Sequence, residues 1–218
     1  MPSPNSIDIL TSDAFLVEYP GNSIGMKTIS AIALFSAWTF TLHADVLRVR
    51  SGALPGGNGS SWQSAINDLQ LAMSAAVSGD EIWVARGVYK PTTANTRTSS
   101  FALKSGVQIY GGFTGTETQR DQRNSDPRVN GTVLSGDIDA NDINTDGNFV
   151  AEDASAIQGL NSFHVVTISN VSAVVLDGFT VTAGQANGTG PDREGGGLRC
   201  QSCQDVRLGN LILSGNTG

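Results

Sequence analysis

Between Asp142 and Asp153, oxygen-bearing side chains recur at a spacing that could surround a cation. The run is Asp142-Ile-Asn144-Thr-Asp146-Gly147-Asn148-Phe-Val-Ala-Glu152-Asp153. Asp142, Asn144, Asp146 and Asn148 alternate along the chain, Gly147 allows a sharp turn, and Asp153 closes the run. Calcium prefers about six to eight oxygen ligands, and alternate residues turned inward could supply them. The competing reading is an unliganded acidic loop. Asp and Asn are common in solvated turns because their side chains bond their own backbone, and no flanking helices are apparent. The second reading is the favoured one, and both stay open.

The remaining chemistry-bearing residues are few. Cys200 and Cys203 form C-Q-S-C between flanks that read as strands, GGLR and DVRL. A redox C-x-x-C needs a helix N-terminus to lower its thiol pKa, so a local structural disulfide is expected, favoured by an oxidising compartment. Zinc would need further ligands, and His164 is the only histidine beyond the N-terminal segment. That histidine lies in an apolar strand pattern, FHVVTI, and no G-x-S-x-G turn supplies a serine, so His164 reads as structural. The glycine runs at Gly111-Gly112 and Gly195–Gly197 precede no helix and read as turns rather than phosphate cradles. Asp177, Asp192, Arg193, Glu194, Arg199 and Arg207 are the clustered candidates for acid or base work. Asp177 in LDGF reads more simply as a turn residue, and Asp192-Arg193-Glu194 as a solvated loop.

The elements that must position these residues are short strands. Val174, Leu176, Phe179 and Val181 recur as Val206, Leu208, Leu211 and Leu213, each 32 residues later. Apolar residues alternate in both copies, break at Gly or Asn, and resume, which predicts two short strands joined by a bend. One such unit has no core of its own, so the copies must stack. Ile82 and Val84 are followed 25 residues later by Val107 and Ile109, which suggests a similar step. Polar insertions at 114–130, 138–161 and 185–195 should leave the stack as loops. One amphipathic helix is predicted from Trp62 to Ala76, with Ser60 and Gln63 as a capping box and Gly79 as its stop. It is expected to cover the open N-terminal end of the stack.

Ahead of these elements, Met26-Lys27 and the apolar stretch Ile29–Leu42 are laid out as a secretory signal peptide, residues 26–44, with cleavage after Ala44. Residues 1–25 then read as a spurious leader, translation starting at Met26. Residues 45–218 form the mature domain. The apolar run is short for a membrane span, so the mature chain is expected not to cross a membrane.

The succession WQSAINDLQLAMSAAVSGDEIWVARGVY, VQIYGGFTGTETQRDQR, TVLSGDID, NSFHVVTI, LDGFTVTAGQA and GGGL with LILSGN resembles the N-terminal half of secreted bacterial right-handed parallel β-helix proteins. Gly195-Gly196-Gly197-Leu198 and Ser214-Gly215-Asn216 are also similar to the repeat of polymorphic outer-membrane proteins, with Leu213 where that repeat has an aromatic. The 142–153 loop is similar to dockerin-type calcium loops, with Asp153 where an EF-hand has Glu. The resemblance implies an all-β, single-stranded right-handed parallel β-helix of pectin-lyase-like fold with an N-terminal capping α-helix. It does not imply pectin-lyase chemistry, since the fold carries lyases, hydrolases and adhesins alike.

Composition narrows the partners. The 218-residue chain is 39% hydrophobic and 15% charged, enough for a core, and its 26 glycines suit many tight turns. A formal charge of −7 argues against nucleic acid, whose phosphates need clustered Lys and Arg. The expected role is a secreted or cell-surface scaffold, adhesin-like or contacting carbohydrate, with catalysis left open. The alternative is a calcium-dependent polysaccharide lyase or glycoside hydrolase. The last repeat stops at SGNTG where another coil should stack, so the domain reads as C-terminally incomplete and prone to edge-to-edge self-association.

Overall fold

The structure, a computed structural model, describes residues 44–218; the leader 1–25 and the signal segment up to His43 lie outside the described residues. Ten strands dominate. They are β1 Val46–Val49, β2 Glu81–Ala85, β3 Gly87–Tyr89, β4 Phe101–Ala102, β5 Gln108–Phe113, β6 Thr132–Ser135, β7 Val166–Ser169, β8 Ser172–Thr182, β9 Leu198–Gln201 and β10 Gln204–Ser214. Two short helices accompany them, α1 Leu69–Ala75 and α2 Pro127–Asn130. Among the described residues no helix is long and apolar enough to cross a membrane.

The class is all-β, and the named strands pair in parallel throughout. One sheet has the order β1-β2-β5-β8-β6-β3, with β10 on β8; the other is β4-β7-β9. The larger sheet curls because β8 serves two neighbours. Its first half pairs β5, Ile109 with Leu176, and its second half pairs β6, Leu134 with Val181. The bend between the halves falls at Gly178, whose φ of +86° a side chain would rarely adopt. A Cβ there would also press on the Arg123 guanidinium and on the Gly111 carbonyl of β5, so the corner is built from two apposed glycines.

The 32-residue repeat is a pairing register. Val174, Leu176, Phe179 and Val181 of β8 face Val206, Leu208, Leu211 and Leu213 of β10. The step between β2 and β5 differs from the sequence expectation: Ile82 pairs with Ile109 and Trp83 with Tyr110, a step of 27 residues rather than 25. Counting apolar residues alone matched Ile82 to Val107, which lies just ahead of β5 in a turn after Lys104. Both residues are buried, so hydrophobicity could not distinguish the two registers.

The predicted helix is the larger correction. Only Leu69–Ala75 is helical, and its N-cap is Asp68, which accepts from the Gln70 N–H at 2.7 Å. Ser60 and Gln63 cap nothing. Ser61 and Ser64 instead bond each other, and the segment runs beside β1: Ile66 N–H donates to the Arg48 carbonyl and Arg50 N–H to the Ile66 carbonyl, both at 2.9 Å. The apparent single apolar face had two destinations. Leu69, Ala72, Met73 and Ala76 enter the main core with Val49, Ile82, Ile109, Leu176 and Phe179. Trp62 and Ala65 join a second cluster with Trp83, Tyr110 and Phe113 on the opposite face of β2 and β5. Alternation along those strands separates the two cores.

Candidate functional site

A concavity lies beside the ends of β3 and β6, where α1 begins and the 138–161 insertion returns. Its volume is about 490 Å³, within the range of small-ligand sites. Loop closure is well anchored. Ala151 N–H donates to Thr182 Oγ1 of β8 at 2.9 Å, Ser214 Oγ of β10 donates to the Ala151 carbonyl at 3.0 Å, and Ile143 N–H donates to the Ala156 carbonyl at 2.9 Å. These bonds hold Ile143, Asn144, Phe149 and Val150 against the strand ends.

The cleft is mixed in character. Asp68, Asp137 and Asp142 face it, with Lys90 as the one cation in its wall, 3.7 Å from Asp137. Asp142 Oδ1 accepts from Gln158 N–H at 2.6 Å and Oδ2 from Asn161 Nδ2 at 2.8 Å. Burial pushes its carboxyl above the usual aspartate value despite these bonds, and the charges of Asp137 and Asp139 push the same way. Tyr89 in the floor donates to the Ala85 carbonyl at 2.8 Å, and burial pushes its phenol up to about 12, so it stays neutral.

Phe149 is the most conspicuous residue in this wall. It is 60% exposed, although it sits at φ 62°, a left-handed conformation that costs a non-glycine residue about 1 kcal/mol or more. Asn144 Oδ1 accepts its N–H at 3.2 Å and helps hold that turn. Ala140 and Ala183, also lining the cleft, have φ of 60° and 63°. The same left-handed conformation recurs away from the cleft at Asn170, Ala173, Ser202, Asp205 and Asn210, but at Phe149 the ring gains little burial in return.

The candidate calcium ligands are occupied locally. Asp146 Oδ1 accepts from Asn148 N–H at 3.2 Å, and its Oδ2 from Asn148 Nδ2 at 2.7 Å. Asn148 Oδ1 accepts from Val150 N–H at 2.7 Å, and Asp153 caps the 3₁₀ turn Ala154–Ala156 by accepting from Ser155 N–H at 2.7 Å. Among the described residues no group of three His, Cys, Asp or Glu side chains is arranged to hold a metal. Cys200 and Cys203 are joined as a disulfide between β9 and β10, with Cα atoms 6.2 Å apart.

The acid and base candidates separate into two places. Asp177 faces outward from β8, ion-paired with Arg123 and accepting from Asn210 Nδ2 at 3.0 and 3.1 Å. Arg207 is exposed on β10, its backbone in register with Val175. Asp192, Arg193, Glu194 and Arg199 belong instead to the 3₁₀ turn Gly190–Arg193 and to β9, where Arg199 donates to Gln201 Oε1 at 2.8 Å. Asp192 lies 3.5 Å from Nε2 of His164, whose Nδ1 is 3.2 Å from the Gly195 carbonyl. His164 thereby pins the 185–195 loop to the segment that leads into β7.

Sequence reasoning missed Asp68, Lys90, Asp137 and Phe149, which reach one cleft from the start of α1, the ends of β3 and β6 and the 138–161 loop. The available signal was an aromatic directly after Gly147-Asn148, inside a polar insertion and outside any alternating apolar run. No family model, curated protein or solved structure matches this chain.

Proposed function

We propose that residues 45–218 wind as a right-handed parallel β-helix capped by α1, and act as a secreted or cell-surface scaffold that contacts carbohydrate through the cleft beside Phe149. Support for the winding comes from the order of pairing. The series β1, β2, β5, β8, β10, the series β3, β6, β8 and the series β4, β7, β9 each ascend in chain order with parallel register, as stacked coils require. Secretion rests on the signal-like layout of residues 26–44.

The observation that carries the carbohydrate reading is the Phe149 ring, exposed on left-handed backbone at a cleft whose walls mix apolar side chains with carboxylates and amides. An aromatic face packs against the C–H face of a sugar ring, while carboxylates and amides take its hydroxyls. Affinity electrophoresis through gels carrying neutral, acidic and amino polysaccharides tests this. At least one should retard the protein, and Phe149→Ala should abolish the retardation with its melting temperature almost unchanged, since exposed substitutions cost within about 0.5 kcal/mol. Equal mobility in every gel would sink the reading. New reducing ends or unsaturated sugars after incubation would transfer it to the lyase or hydrolase alternative.

A further inference from the structure

We propose that the free edge of β10 pairs with the same edge of a second copy of this chain, antiparallel, in a closed two-fold dimer. The run VRLGNLIL at 206–213 carries this, because its apolar pattern reads alike in both directions from the 209–210 peptide bond. Val206, Leu208, Leu211 and Leu213 lie in register with Val174, Leu176, Phe179 and Val181 of β8, all of them fully buried, so these positions belong to the inward face. Val206 and Leu211 accordingly pack on the edge of the main core. Leu208 and Leu213 stay 47% and 54% exposed, and among the described residues no strand pairs beyond them. The bend of β10 falls at the same centre, with Asn210 at φ 46° where β8 bends at Gly178.

A two-fold contact needs a self-complementary strip, and this run is one. Turned about an axis through the 209–210 bond, one copy sets Leu208 opposite Leu211 of the second copy and Val206 opposite its Leu213. Every inward residue then meets an inward residue, an agreement that a shift of one position would undo. On the outer face Arg207 meets Ile212 of the second copy, and at the end of the strip Asp205 meets its Ser214, so no like charges are opposed. Because the bends coincide, the two edges can pair on both sides of the corner. The far end of the large sheet offers no such match. The outer edge of β1 is taken, with Arg48 N–H donating to the Gly59 carbonyl, Ile66 N–H to the Arg48 carbonyl and Arg50 N–H to the Ile66 carbonyl. Head-to-tail stacking of β10 on β1 would have to break these bonds, whereas edge-to-edge pairing of β10 breaks none and closes at two.

Sedimentation equilibrium of the purified protein tests this. The mass should rise with concentration and level off at twice that of the monomer. Ile212→Glu sets a carboxylate opposite Arg207 of the second copy, twice in each dimer, and Ile212→Lys sets a cation there. The first variant should therefore dimerise about tenfold more tightly than the second. Asp126 and Arg128 also lie close to Ile212, so the same two substitutions are compared in an Arg207→Glu background. There Ile212→Lys should be the tighter of the two, a reversal that neither a damaged fold nor the charges of α2 can produce. Growth in mass beyond two copies would mean head-to-tail stacking and would overturn the closed dimer. Equal dimerisation constants for the two charge variants in both backgrounds would overturn the antiparallel register, and a monomer at every concentration would remove the proposal altogether.

Discussion

Glu117 shows how one carboxylate can organise a loop far from any ligand. It is 8% exposed, and it accepts four hydrogen bonds: Thr114 N–H and Oγ1 on one oxygen, at 2.7 and 2.8 Å, and the N–H groups of Gly115 and Thr116 on the other, both at 3.0 Å. Its carbonyl accepts the Trp62 indole N–H at 2.8 Å, so the same residue ties the 114–130 insertion to the second core. Burial alone would raise its pKa, but the hydrogen bonds led by Thr114 outweigh burial and hold it below the usual glutamate value. A lowered folded pKa favours folding above the ordinary glutamate value, and that contribution is lost as pH falls through the folded one. Glu117→Gln must turn an NH₂ toward two donors whichever way the amide lies, so we expect it to cost about 1–3 kcal/mol at neutral pH. Denaturant melts should show that difference shrinking on acidification. A constant difference down to pH values below the glutamate range would mean that the carboxylate charge is not what holds the loop. Asp142 has the opposite sign: its raised folded pKa favours folding at low pH, and that contribution is lost as pH rises through it.

The 142–153 loop is a separate question at the scale of elements. Its Asp and Asn oxygens accept hydrogen bonds from within the loop and from its return segment, so caging a hard cation would require breaking turns already formed. We expect calcium and EDTA to leave the melting temperature unchanged. A calcium-dependent rise, lost in Asp146→Ala, would show that the loop rearranges to bind. The same loop illustrates what could be read from sequence. Strand pairs with an exact repeat were legible, because Val174 and Val206 occupy equivalent positions on one buried face and a register slip of one would turn that face to water. Helix α1 was legible only in part. Trp62 and Ala65 keep helical spacing with Leu69 yet pack in a different core, and spacing says nothing about destination. The cleft was the least legible feature, since Lys90 and Asp137 meet through pairing of β3 with β6, Phe149 arrives on a loop tied to β8 at Thr182, and Asp68 comes from the start of α1.

At the scale of the whole molecule, the two ends of the large sheet are treated differently. The free side of β1 is covered: Arg48 N–H donates to the Gly59 carbonyl, and the backbone of Ile66 bonds both Arg48 and Arg50. Helix α1 closes the main core on that side with Leu69, Ala72 and Met73. Beyond β10, by contrast, no further strand pairs among the described residues, and its apolar positions are only partly covered. Leu208 is 47% and Leu213 54% exposed, whereas their partners Leu176 and Val181 are fully buried. An eleven-residue parallel strand with a free edge and exposed leucines is a template for another strand, and neither a proline nor a lysine interrupts it. Each leucine is already about half buried, so completing its burial in such an association would contribute roughly 1 kcal/mol, which favours a contact between copies. We therefore expect concentration-dependent self-association in sedimentation velocity. Replacing Leu208 and Leu213 with Lys should suppress it, because two like charges would then face each other across any edge-to-edge pairing. Cys200 in β9 and Cys203 in the turn before β10 are already joined to each other, so the association should survive reducing agent and alkylation alike. A single monomeric species over a hundredfold concentration range, or association indifferent to the two lysines, would mean that β10 is protected by contacts other than strand pairing.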